Sequence, residues 1–147
     1  VWLVLYAFVR VTRRPSFTFT NPANGAPYLR RWPLWTRDPW PDVYGRTGGE
    51  GWYLHQFLAS DHERELHNHP SAYSVAFPIK GGYRERRLQR DERVPIHRIK
   101  NCRPGSINVI TSETFHRVTL LGLDSWSVFY IGPRSGRGWG FLQKDGT

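Results

Sequence analysis

The chain has one cysteine, few carboxylates to match its arginines, and no apolar run long enough to cross a bilayer. Each shortage excludes something. A lone Cys102 rules out a disulfide framework within the chain and reads as a small buried hydrophobe. The opening run Val1-Trp2-Leu3-Val4-Leu5-Tyr6-Ala7-Phe8-Val9 falls well short of the roughly 20 residues a spanning helix needs. It also lacks the basic region and cleavage site of a signal peptide. It reads as a short helix or strand covering one end of the core. A peripheral anchor with Arg10, Arg13 and Arg14 at a lipid surface is the alternative. The first residue is Val, so a start downstream of the true N-terminus stays open. The expected location is the cytoplasm. Helical periodicity is missing after residue 15, as are internal repeats and low-complexity tails.

The deficit of acids has a consequence of its own. Lys and Arg number 21 against 12 Asp and Glu, a formal net charge of +9 carried almost entirely by arginine. Such a balance suits a polyanion or a phosphorylated ligand. No nucleic-acid recognition motif accompanies the charge, so nucleic acid ranks below a small molecule as partner.

What is present fits one domain. The 147 residues allow a real core, and 15% aromatics with seven Trp supply bulky rings to fill it. Gly and Pro are frequent and scattered, as short strands joined by turns require. Strand patterns begin at Tyr28 and cover 52–58, 73–79, 83–88, 94–100, 105–110, 115–121 and 125–131, with a last one near Trp139-Gly140-Phe141. Residues 38–49, rich in Pro and Gly, read as a loop. Gly81-Gly82 between two such runs reads as a hairpin link, and Pro95 places the 94–100 strand at a sheet edge. The expected class is all-β, a sandwich or double-sheet barrel of the jelly-roll type.

One stretch carries chemistry. In Glu65-Leu66-His67-Asn68-His69-Pro70 two histidines are separated by one residue. In a strand, residues i and i+2 share a face, so both imidazoles can reach one point. Pro104-Gly105 opens a later strand pattern, and the next closes on His116-Arg117-Val118.

Leu66-His67-Asn68-His69-Pro70, Gly81-Gly82-Tyr83-Arg84-Glu85, Pro104-Gly105 and His116-Arg117-Val118 together resemble a small single-domain cupin. Pro27 to Trp32, Tyr53 to Leu58, Gly132-Pro133-Arg134 and Trp139-Gly140-Phe141 resemble a group of bacterial and phage cupin-like metal-binding proteins. The resemblance implies a double-stranded β-helix, or jelly-roll barrel, over residues 28–147, with residues 1–27 as an extension packed on it. It implies a metal inside, held by His67, His69 and His116. The cupin pattern also has a carboxylate between the histidine pair and the glycine. Here that position is Ser74, so the carboxylate is missing. Ser106, where Asp often follows the Gly, is a lesser departure. Glu85 is a candidate replacement ligand, with a surface carboxylate paired to a neighbouring arginine as its bland alternative.

Three neutral imidazoles leave a divalent ion's charge uncompensated and positions open for water, substrate or O2. Fe(II) is the first choice, and Zn, Ni, Mn and Cu suit imidazoles too. Glu85, His55 and Tyr53 are the acid–base candidates, although a core role with a satisfied hydrogen bond is the first reading for His55. Asn68 and Ser74 are candidates to orient the ligand rings. Tyr53, His55, Tyr73, Phe77, Val118, Trp126 and Tyr130 are expected to line the pocket. The function implied is a metal-dependent enzyme, dioxygenase-like, acting on a small organic substrate. A non-catalytic cupin that binds a small ligand or an anionic partner is the alternative. A homodimer is the default assembly.

Overall fold

The computed structural model describes residues 17–21, 23–40, 48–61, 66–90, 95–138 and 140–142. The Val1–Val9 run, Trp139 and most of the 38–49 loop therefore lie outside the described residues. Those described form two antiparallel sheets and no helix. The strands are β1 (Phe17–Thr20), β2 (Pro27–Trp40), β3 (Gly48–Phe57), β4 (Leu66–His67), β5 (Tyr73–Lys80) and β6 (Tyr83–Arg90). They continue with β7 (Pro95–Cys102), β8 (Asn108–Thr111), β9 (Phe115–Leu120), β10 (Ser125–Ile131) and β11 (Phe141–Leu142). One sheet has the order β1-β2-β3-β10-β5-β8 and the other β11-β4-β9-β6-β7. From β3 onward the chain crosses between the sheets at every step except β6 to β7, as in a jelly roll.

The core lies between the inner faces. The first sheet contributes Tyr53, Ala76, Ile110, Phe129 and Ile131. The second contributes Tyr83, Cys102 and Val118, with Leu120 against them. Cys102 is fully buried, as a small hydrophobe should be, and burial pushes its thiol pKa up. A second cluster sits on the opposite face of the first sheet. There Trp32 and Trp126 stack at 5.5 Å and, with Leu54, are buried. A stacked aromatic pair contributes about 1 kcal/mol beyond its area.

Three expectations change. First, β5 and β6 belong to different sheets, so Gly81-Gly82 is a corner that carries the chain across the sandwich. Gly81 (φ 72°) and Gly82 (φ 134°) take backbone angles that L side chains rarely adopt. A Cβ on Gly81 would overlap the carbonyl oxygen of Asp124, and one on Gly82 would lie 2.8 Å from that of Cys102. Second, residues 38–40 and 48–49 are strand, not loop. Pro33 and Pro39 are tolerated because β1 pairs only with residues 27–31 of β2, leaving the rest of that strand's far edge without β1. Register shifts beside both prolines absorb the misfit. Third, β5 buries Ser74, Ala76 and Pro78 while Tyr73 is exposed. Tyr73, Phe77 and Tyr130 therefore face away from the core, where Phe77 and Tyr130 meet Trp52 (Trp52–Tyr130 centroids 5.0 Å apart) and Tyr73 meets Tyr130. Trp126 belongs to the outer cluster as well. Of the expected pocket lining, Tyr53, His55 and Val118 are buried on the inner faces.

Candidate metal centre

β4, the residues just after it and β9 assemble the histidines. β4 is only two residues long and is held between β9 and β11. Its His67 lies directly opposite His116 of β9, and directly opposed residues put their Cβ atoms about 5 Å apart on one face. The chain leaves β4 at Asn68. The Asn68 N–H donates to the Gly140 carbonyl at 3.1 Å, and its side-chain oxygen accepts the Gly140 N–H at 2.8 Å. Asn68 thus fixes the backbone between the two histidines instead of a ligand ring. Ser74 is likewise spent elsewhere, on a 2.8 Å hydroxyl contact with Ser71.

His69 then turns back to the other two. Each of His67, His69 and His116 offers one ring nitrogen, and these three atoms lie within 4.8 Å of one another. The Nε2 atoms of His69 and His116 are 2.7 Å apart. Two bonds of about 2.1 Å at a right angle would separate two ligand nitrogens by about 3.0 Å, so these rings already stand at nearly ligand spacing. Burial, then the neighbouring His116, holds His67 down to a pKa of about 3. Burial and the other two imidazoles keep His69 well below the usual range. Both are neutral at physiological pH, as ligands must be.

Glu85 stands behind this cluster. It is fully buried, which excludes the surface ion pair considered from sequence. One carboxylate oxygen accepts the Nδ1–H of His116. The other accepts Arg87 Nε at 2.6 Å and Asn108 Nδ2 at 3.0 Å. Arg87 also donates to Asn108 Oδ1 at 2.6 Å, and Asn108 Nδ2 lies 3.1 Å from the Tyr83 hydroxyl. Burial raises the carboxyl pKa, but the bonds from His116 and Arg87 outweigh it and leave Glu85 below its ordinary value. With Nδ1 of His116 committed as donor, its Nε2 lone pair points into the cluster. A carboxylate that fixes the tautomer of a ligand histidine is the standard outer support of metal sites.

The other acid–base candidates sit differently. His55 is stacked on Phe129 at 4.5 Å, and its Nε2 accepts Arg31 Nε at 2.9 Å. Burial, then Arg31 and His69, lowers its pKa well below the usual range. The Tyr53 hydroxyl donates to the Gly49 carbonyl at 2.8 Å and accepts the Gly49 N–H at 3.0 Å. Both side chains are thus bound to their own surroundings, whereas Glu85 alone of the three contacts a cluster histidine. Sequence reading missed Arg87 and Asn108, which hold Glu85. Arg87 was findable, since it follows Glu85 at i+2 and shares its face. Asn108 carried no signal. Arg31 was also missed; its guanidinium lies over the rings of Phe19 and Tyr53 at 4.9 and 5.1 Å, and burial lowers its pKa to about 10.

No family model and no curated protein sequence matches the chain. Solved structures do. Recombinant oxalate oxidase in complex with glycolate aligns at a TM-score of 0.55 and 17% identity over 88% of this chain and 63% of its own. Oxalate decarboxylase from Bacillus subtilis aligns at 0.52 and 16%, over 88% of this chain and 30% of its own. Fe(II)-HppE aligns at 0.51 and 11%, over 82% of this chain and 59% of its own. The chain spans less than two thirds of the length of the oxalate oxidase it matches. No described helix is long and apolar enough to cross a membrane. The two packed antiparallel sheets, the core between them and these alignments agree on one architecture: the chain has the cupin fold, a double-sheet jelly roll.

Proposed function

We propose that this chain is a metal-dependent cupin enzyme in which His67, His69 and His116 hold a divalent ion and a small organic anion is the substrate. The observation that carries the reading is the convergence of three imidazoles, two of them held neutral by burial, with a buried carboxylate behind the third. An ion there would supply a positive charge and open coordination positions. Fe(II) is the ion of choice, and an oxygenase-type reaction follows from it. The Fe(II) of HppE and the Mn(II) of Bacillus subtilis oxalate decarboxylase support the choice among first-row metals.

The chain's own residues set the rest. Glu85 orients His116 and offsets part of the ion's charge. Arg31, whose charge reaches His69, favours an anionic group on the substrate. The glycolate seen on oxalate oxidase supports a carboxylate. Phe129 and Tyr53 flank His55 with aromatic rings.

Elemental analysis of the purified and the Fe(II)-reconstituted protein tests this. One ion per chain is expected, lost in His67→Ala and His116→Ala. Oxygen uptake with a panel of small carboxylic acids should then depend on the same histidines. Protein that folds but holds no stoichiometric metal in either preparation overturns the reading.

A further inference from the structure

The second sheet ends on β7 and the first on β8. The seam between these edges opens into a groove of about 790 Å³, within the range of small-molecule sites. Four cations line it, Arg87, Arg98, Lys100 and Arg137, against one carboxylate, Glu113. Glu113 pairs with Arg137 at 3.0 Å and the buried Glu85 with Arg87 at 2.6 Å, which leaves Arg98 and Lys100 as the excess positive charge of the lining. Leu88, Ile99, Val109 and Phe115 supply an apolar lining beside the charges.

The cations are crowded on one side of the β6–β7 pair. Arg87 and Arg98 are direct cross-strand partners, and like charges opposed in this way repel. A local rule broken in this manner is expected where a site needs it. Arg87 is also the only one of the four whose guanidinium is held from behind, by Glu85 and Asn108. Its planar fork is therefore pre-oriented, which reduces the entropy lost when it takes an anion.

We propose that this groove binds a small organic anion of nucleotide size, its phosphate or carboxylate held by Arg87, Arg98 and Lys100 and its body on the apolar lining. The groove lies outside the histidine cluster, touching it through Arg87 and Glu85, and it binds without a metal there. Arg84 and Arg86 are exposed on the other face of β6, so general surface charge and a built site can be told apart.

Calorimetric titration of the metal-free chain tests the proposal, with adenosine monophosphate, inorganic phosphate, citrate and a short single-stranded RNA as probes. Adenosine monophosphate should bind about tenfold tighter than inorganic phosphate, as an apolar lining worth about 1.4 kcal/mol would give. Replacing both Arg98 and Lys100 by Ala should weaken it about a hundredfold, roughly tenfold for each charge-assisted contact. Arg84→Ala with Arg86→Ala should leave it unchanged. Citrate binding in place of the phosphates identifies a carboxylate ligand at the same site. The proposal is overturned if none of the small anions binds, if the Arg84/Arg86 pair matters as much as Arg98/Lys100, or if RNA binds and the small anions do not compete. Failure of the histidines to hold metal leaves this outcome unaffected.

Discussion

Glu85 shows how much one side chain can decide. Its two oxygens are divided between His116 on one side and Arg87 with Asn108 on the other. Glu85→Gln keeps the shape but removes the charge and puts an amide N–H toward one set of donors. Metal affinity should fall by about 10- to 100-fold, the usual cost of losing such support. The Co(II) absorption bands should shift as well, because His116 is no longer oriented, and Glu85→Asp should restore part of both. Unchanged bands with a lowered Tm would assign Glu85 to stability alone. His55 offers a second test at this scale. Its folded pKa lies below its unfolded value of about 6.5. The unfolded state therefore binds the extra proton first, and the contribution of neutral His55 is full above pH 6.5. It is lost as pH falls below that, at up to about 1.4 kcal/mol per unit. Urea titrations of metal-free protein between pH 7 and 5 should show this slope reduced in His55→Gln. An equal slope in the variant would mean that His55 does not carry it.

Among the elements, the β5–β6 corner is one of the crossings that join the two sheets. Gly81→Ala would force a side chain into left-handed backbone against the Asp124 carbonyl. A loss of about 2–4 kcal/mol is expected, read as a Tm fall of roughly 6–12 °C. Gly105→Ala is the control, since its φ is also positive (87°) but nothing lies within 4 Å of an added Cβ. It should cost about 1 kcal/mol, from backbone strain only. The same corner explains what could be read beforehand. Two glycines between apolar runs announce a reversal, but not whether the second strand pairs with the first or with the opposite sheet. That depends on partners far along the chain, such as Leu120 of β9 opposite Tyr83. Strand existence was legible at β3, β5, β6, β7, β9 and β10 because each alternates between turn signals. Which face is inner was not legible for β5 and β10, where both faces are apolar. Tyr73, Phe77 and Tyr130 fell to the outer side for that reason. The histidines were legible because i, i+2 spacing is local. The support behind His116 was not, since Glu85, Arg87 and Asn108 come from two strands in different sheets.

At the scale of the whole molecule, the histidine cluster and the basic groove share one connection. Arg87 lines the groove and holds Glu85, and Glu85 holds His116. An anion in the groove competes with Glu85 for the Arg87 guanidinium. Glu85 then keeps more of its negative charge for His116, and the imidazole becomes a better donor to a cation. Adenosine monophosphate should therefore tighten Co(II) binding by about five- to tenfold, at the low end of typical coupling between sites. Reciprocity requires Co(II) to tighten the nucleotide by the same factor. Arg87→Lys retains a charge but loses the fork that bridges Glu85 and Asn108, so the coupling should shrink while each ligand still binds. Titrating Co(II) by absorbance with and without the nucleotide, then the nucleotide with and without Co(II), measures both factors. Two equal factors above one that collapse in Arg87→Lys establish the connection. Affinities that ignore each other mean that the groove and the histidines act separately, and that Arg87 serves each without linking them.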